Sequence, residues 1–291
     1  MNFQLPNVGQ EELGKLVPGH PVLVAYRGSH SHGTFVPSQE AGGIDDIDII
    51  ACYIAPDLAN YFGLKTAMVG HDCKIREYDS AAYELRHLAK LLAQANPNVL
   101  SMLWMDEYIY LEDAGRDLIA ARELFSTKAA GNSFTGYMHA QIKRMTAWHD
   151  SGEATCCDGE VFHEEHCKLR QERGRGSQKK FATGFMGAKR KALVQKYGYD
   201  AKNAAHAIRL GRMGLEFLKD GVLRVKREDA AELVDIKNGR WPLSKIQAEA
   251  ADLFWRLGEA KATSPLPDAP DMDRINALIV GILCRYFGTA W

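Results

Sequence analysis

Acidic residues in the first 80 positions of the chain could hold a divalent cation. Asp46 and Asp48 flank Ile47 in a run of alternating apolar residues, which predicts a β-strand over residues 45–54. Residues two apart on a strand project to the same face, so the two carboxylates repel each other unless a cation lies between them. Oxygen ligands of this kind suit Mg²⁺, which takes further ligands from water and substrate phosphates. The competing interpretation is an exposed strand end with solvated acids.

A third carboxylate is expected from a neighbouring strand. Residues 73–79 predict a short strand that carries Glu77 and Asp79 on one face. Either side chain could approach the acidic pair. Asp79 is preferred because it lies at the end of this predicted strand, directly before a predicted helix. Asp45 is an additional acid beside the pair, and its role stays open.

A small-residue turn after the first predicted strand could bind phosphate. The apolar run over 22–26 leads into Arg27, Gly28 and Ser29, and Gly33-Thr34 closes the turn. A glycine lets the backbone approach a ligand, while a hydroxyl and free N–H groups can hold phosphate oxygens. An ordinary turn is the alternative.

The elements that must position these residues change character near residue 80. Short strands are predicted before it, with a possible short helix near 57–64. After it, apolar residues recur every three or four positions and predict a helix over 80–96, which Asn96-Pro97 ends. Further helices are predicted over 97–104, 117–128, 134–149, 184–197, 200–220, 245–261 and 273–286. This pattern predicts an α/β (α+β) domain with a small mixed sheet over residues 1–110, followed by a mostly helical domain over residues 111–291.

Composition narrows the function classes. The 291 residues include 36 Lys+Arg and 37 Asp+Glu, which gives a net charge of −1, and 46% of the residues are hydrophobic. These values exclude a disordered chain and leave nucleic-acid affinity to a local basic patch. No apolar run is long enough for a transmembrane helix and no signal-peptide pattern is visible, so the expected location is the cytoplasm.

A cysteine- and histidine-containing segment is predicted to be an exposed loop near residues 151–180. Its potential ligands are of types that bind zinc, namely Cys156, Cys157, His163, His166 and Cys167. Their spacing matches no standard zinc pattern, so a loop without metal is preferred. Basic residues over 170–180 could contact a polynucleotide.

Three basic side chains share one face of the predicted helix 200–220. Lys202, His206 and Arg209 are separated by four and three positions, which brings them together on a helix. Such a face suits phosphates or an RNA backbone, although the spacing alone favours an ordinary solvated helix face.

The order of these motifs resembles the nucleotidyltransferase superfamily that includes DNA polymerase β. The shared features are Gly-Ser, Gly-Thr, the Asp-x-Asp strand and a later acid. Segments 83–92, 95–100 and 196–210, with Glu216-Phe-Leu and Gly221, resemble the nucleotidyltransferases associated with RNA repair. The resemblance spans residues 22–235. One departure is the sixteen residues between Ser29 and Asp46, which exceed the tight turn usual in the superfamily.

This resemblance implies a polymerase-β-like fold and transfer of a nucleoside monophosphate from an NTP to a hydroxyl group, with release of pyrophosphate. It implies Mg²⁺ or Mn²⁺ as cofactor and an RNA 3′ end as acceptor. Two alternatives remain: transfer to a protein or small-molecule hydroxyl, and a non-catalytic nucleotide-binding regulatory module.

The resemblance also assigns roles to individual residues. Gly28 and Ser29 would hold the β- and γ-phosphates. The metal ligands would be Asp46, Asp48 and Asp79, and Asp79 would also help to deprotonate the attacking hydroxyl. The nucleotide-binding set is completed by the Lys-x-x-x-His-x-x-Arg-Leu match, which contributes Lys202, His206 and Arg209, and by Arg27, which could reach the γ-phosphate.

Overall fold

One mixed β-sheet organises the N-terminal part of the protein. The computed structural model describes residues 4–37, 46–62, 70–146, 194 and 196–289. In this part of the chain five strands pair in the order β3-β4-β2-β1-β5. They are β1 (His20–Tyr26), β2 (Ile47–Ile54), β3 (Gly70–Ile75), β4 (Tyr78–Glu84) and β5 (Tyr110–Leu111). β2 and β4 run parallel, and the other neighbours are antiparallel. The predicted small mixed sheet is therefore confirmed.

The predicted strand 73–79 and the predicted start of the helix at residue 80 are both wrong. Arg76 and Glu77 form a tight turn between two strands, and Arg76 has a φ of 54°. The chain then continues as β4 to Glu84, because it pairs with β2 on one side and β3 on the other. The backbone hydrogen bonds of this pairing favour a strand over the helix that the spacing of the apolar residues predicts. Asp79 consequently lies near the start of a strand, not at its end.

The helices after the sheet agree with the predicted helical second half. The helices are α1 (Gln10–Leu16), α2 (Ala59–Phe62), α3 (Leu85–Ala93), α4 (Pro97–Leu100), α5 (Asp113–Ala120), α6 (Ala129–Thr146), α7 (Ala201–Asp220), α8 (Ala230–Lys237), α9 (Leu243–Thr263) and α10 (Met272–Phe287). None of these is long and apolar enough to cross a membrane. The pattern did not predict α1, β5 or α8. Most of the predicted helix 184–197 lies outside the described residues, as do Asp45 and the cysteine- and histidine-containing loop.

The two faces of the sheet are covered by different parts of the chain. On one face, Leu13 of α1 packs against a cluster that contains Ile49 and Tyr78. On the other face, Ile50 belongs to a large apolar core that continues through α3 to Phe217 of α7 and into α10. This core extends on both sides of residue 110, so the division into two domains at that point stays a prediction.

Helix α7 is the element that brings the helical half to the sheet. Its N-terminus is capped by Asp200, whose carboxylate accepts a hydrogen bond from the Asn203 N–H at 3.1 Å. Its C-terminus is Gly221, which adopts the left-handed conformation with a φ of 71°. Its buried residues are mostly small or apolar, and Lys202 in its first turn lies within electrostatic reach of Asp48 on the sheet.

Candidate active site

Two of the predicted metal ligands are direct neighbours in the sheet. The parallel register of β2 and β4 pairs Asp48 with Asp79. Paired residues on neighbouring strands point to the same face and lie about 5 Å apart. Glu77 instead lies in the turn before β4, where its carbonyl accepts a hydrogen bond from the Ile47 N–H at 2.7 Å. The register thus favours Asp79 over Glu77 as the partner of Asp48.

Asp46 is engaged elsewhere. It lies at the exposed start of β2, and its Oδ1 accepts a hydrogen bond from Lys74 Nζ at 2.7 Å. Lys74 is itself paired with Asp79 in the register of β3 and β4, so its ammonium group belongs to the same acidic edge. Among the residues that the structure describes, no three His, Cys, Asp or Glu side chains are close enough to hold a metal ion. The strand register therefore pairs Asp48 with Asp79, whereas the carboxylate of Asp46 is bound by Lys74.

Positive groups from two elements surround Asp48. Burial raises the pKa of the Asp48 carboxyl, and the nearby charges of Asp79 and Asp46 raise it further. Arg27 at the end of β1 and Lys202 on α7 oppose this effect and lower it. Helix α7 thus places Lys202 within electrostatic reach of the acids.

The glycine turn passes directly over Asp48. Gly28 has a φ of 64°, and a Cβ atom at this position would lie 2.4 Å from Asp48 Oδ2. The preceding residue, Arg27, donates its N–H to the Asp48 carbonyl at 2.9 Å. A side chain at position 28 would be excluded by the carboxylate and strained by the backbone, so this position requires glycine.

Free hydrogen-bond donors line the same turn. The N–H groups of His32 and Thr34 close it by donating to the carbonyls of Gly28 and Ser29, at 3.2 Å and 2.9 Å. Within the described residues, the N–H groups of Ser29, His30 and Ser31 donate to no protein acceptor. The hydroxyl of Ser29 is buried and has no partner either. Successive unpaired N–H groups beside a free hydroxyl form a concave site suited to phosphate oxygens.

A buried histidine clamps this turn to the helical half. His32 Nδ1 donates to the Val225 carbonyl at 2.8 Å, which leaves Nε2 as the acceptor for the Arg209 guanidinium. The backbone carbonyl of His32 accepts from the Arg227 N–H at 3.3 Å. Burial lowers the pKa of His32 well below its ordinary value, and the positive charges of Arg209, His206 and Arg227 lower it further. The imidazole is therefore neutral at neutral pH.

The three basic residues that were expected to share one helix face lie in different surroundings. Lys202 acts on Asp48, His206 lines a cavity beside α6, and Arg209 contacts the turn through His32. Burial, with a contribution from Arg227, lowers the pKa of Arg209 to about 9, which still leaves the guanidinium charged at neutral pH.

Sequence reasoning missed His32 and Lys74. The available signals were the Ser-His-Ser-His segment inside the turn and the alternation of residues on β3.

Comparisons with known proteins identify the family of this chain. A family model described as the RNA repair pathway DNA polymerase beta family matches residues 7–281. One matching solved structure is a nucleotidyltransferase-like protein from Exiguobacterium sibiricum, at 9% identity and a TM-score of 0.26, over 91% of this chain and 70% of that chain. No curated protein matches the sequence. Since the family match extends over almost the whole chain, the protein belongs to the RNA repair pathway DNA polymerase beta family.

Proposed function

We propose that this protein transfers a nucleoside monophosphate from an NTP to a hydroxyl group, with an RNA 3′ end as acceptor. One observation carries the proposal: the turn with free N–H donors passes over Asp48, which is paired with Asp79 on the adjoining strand. A phosphate held by the turn would thus lie against two carboxylates. The family's assignment to an RNA repair pathway supports RNA as the acceptor.

The residues at this edge suit a divalent cation. Carboxylate oxygens are the ligands that Mg²⁺ prefers, and Asp46, Asp48 and Asp79 would hold it. When bound, Mg²⁺ neutralises charge on the triphosphate and makes the acceptor hydroxyl more acidic. For Asp46 to take part, its carboxylate must leave Lys74, and an exposed ion pair of this kind is weak enough to open.

The protein's own groups then position the reactants. The N–H groups after Gly28 and the Ser29 hydroxyl hold the β- and γ-phosphates, and Arg27 and Lys202 balance their charge. The acceptor oxygen attacks the α-phosphorus while the bond from this phosphorus to the bridging oxygen breaks, so that pyrophosphate leaves. Asp79 accepts the proton of the attacking hydroxyl.

The test uses NTPs labelled at the α-phosphate, each in turn, with Mg²⁺ or Mn²⁺ and a pool of short RNAs. The wild type is expected to label RNA, and Asp48→Asn is expected to lose this activity. Glu77→Gln is the matched control, because Glu77 lies in the turn outside the strand register, and it should retain activity.

Label that appears on the protein or on a small molecule would show that this molecule, and not RNA, is the acceptor. Failure to bind any NTP would contradict the proposal as a whole.

A further inference from the structure

A polar cavity lies next to the proposed site, between α4, α6 and α7. It has a volume of about 660 Å³, which is within the range of small-molecule sites. Most of its lining residues carry a side chain that can donate or accept a hydrogen bond, among them Asn98, Ser133, Tyr137, Gln141 and His206. Arg144 adds a positive charge to the lining. A cavity with this lining fits a ligand that has many polar edges.

Gln141 is the lining residue from which we infer that the cavity binds a ligand. Its side chain is only 5% exposed, yet within the described residues its amide makes no hydrogen bond. Buried polar groups are normally paired. A ligand with a matching donor and acceptor would satisfy both ends of the amide.

Helix α7 contributes residues both to the cavity and to the proposed active site. His206 follows Lys202 by one helical turn, which is a rise of about 6 Å, and Lys202 acts electrostatically on Asp48. Tyr137 of α6, which also lines the cavity, acts electrostatically on Tyr83. Tyr83 lies on β4, the strand that carries Asp79. Helices α6 and α7, which line the cavity, are therefore electrostatically coupled to the two strands that carry the acids.

We propose that this cavity holds a nucleoside and that Gln141 is a residue that determines base specificity. The inference rests on the proposed function and deepens it. A glutamine amide pairs with a base edge that offers a donor beside an acceptor, as adenine does. The ring of Tyr137 offers a surface for stacking, and Asn98 and Ser133 can bond the ribose hydroxyls. The nucleoside can come from the donor NTP or from the terminal nucleotide of the acceptor.

The experiment measures the affinity of each of the four NTPs, with Ca²⁺ replacing Mg²⁺ to prevent turnover, and of inorganic triphosphate. The proteins are the wild type, Gln141→Leu and Gln141→Glu, with Gln247→Leu as control because Gln247 is exposed on α9. We expect the wild type to prefer ATP. Gln141→Leu should weaken ATP binding about tenfold and leave triphosphate binding unchanged. Gln141→Glu should shift the preference among bases.

A second series identifies the source of the nucleoside. RNAs that end in each of the four nucleosides are compared as acceptors, and a Gln141 effect confined to their KM assigns the cavity to the acceptor. Unchanged base preference of Gln141→Leu in both series would overturn the proposal.

If the wild type transfers no nucleotide at all, the proposed function fails. Binding of free nucleosides, measured in the same variants, then still decides the role of the cavity: loss in Gln141→Leu supports it, and equal binding rejects it.

Discussion

Replacing His32 tests whether the turn after β1, which we propose binds phosphate, depends on its attachment to the helical half. His32→Leu removes the Nδ1–H that bonds the Val225 carbonyl at 2.8 Å, and it also removes the acceptor for Arg209. The turn itself keeps its internal hydrogen bonds. We therefore expect a protein that folds but whose turn is no longer fixed over Asp48.

The magnitude follows from the groups left without partners. A buried hydrogen-bonding group that loses its partner costs about 1–3 kcal/mol, and here one carbonyl and one guanidinium N–H are affected. The free energy of unfolding should fall by about 3 kcal/mol, which corresponds to a Tm lower by about 5 °C. His32→Gln keeps an acceptor for Arg209 and should lose about half of this.

The pH dependence has a definite sign. The pKa of His32 is lowered in the folded protein, and the unfolded chain has a histidine pKa of about 6.5. Between these values the unfolded state binds more protons, so stability is complete above about pH 6.5 and falls as the pH decreases. The slope from this one group is at most about 1.4 kcal/mol per pH unit. His32→Gln removes this part of the slope.

The assay is urea-induced unfolding at pH 7.5 and pH 5.5, combined with NTP affinity at pH 7.5. His20→Gln is the control. His20 lies at the start of β1, at the opposite end of the strand from the turn, and its Nε2 is hydrogen-bonded to Glu112 at 2.7 Å. We expect it to lower stability and leave NTP affinity unchanged, whereas both His32 variants should weaken NTP binding. Wild-type NTP affinity in His32→Leu, or an unchanged pH slope in His32→Gln, would refute the reasoning.

Three further variants test other parts of the structure. Gly28→Ala should abolish phosphate binding and transfer, since its Cβ would lie 2.4 Å from Asp48 Oδ2; triphosphate titration checks this, and full binding would contradict it. Lys74→Met frees Asp46 and should raise Mg²⁺ affinity about two- to fivefold in metal titrations, and weaker binding would be the opposite outcome. Arg212→Met removes a guanidinium that binds three carboxylates; it should lower the free energy of unfolding by about 2 kcal/mol in urea, with NTP affinity intact.

Much of the fold could be predicted because periodicity is a local property. The strand at 47–54 and the helix at 201–220 were recognisable from their apolar spacing and from the caps that flank them. The segment 80–84 cannot be recognised as a strand from sequence, because its Ser and Ala residues have little preference for strands. Its pairing partners also lie elsewhere: β2 is distant in sequence and β3 lies across a turn. Non-local hydrogen bonds determined its structure.

The sequence by itself determined which chemical groups are available: the Asp-x-Asp pair, a third acid, a glycine turn and a basic helix face. Only the tertiary structure decided how they are used. The register of two parallel strands placed Asp79 and not Glu77 beside Asp48, and the packing of α7 directed Lys202 to the acids and Arg209 to His32. The unpaired amide of Gln141 has no sequence signature either, because whether a polar group finds a partner depends on what the fold packs around it.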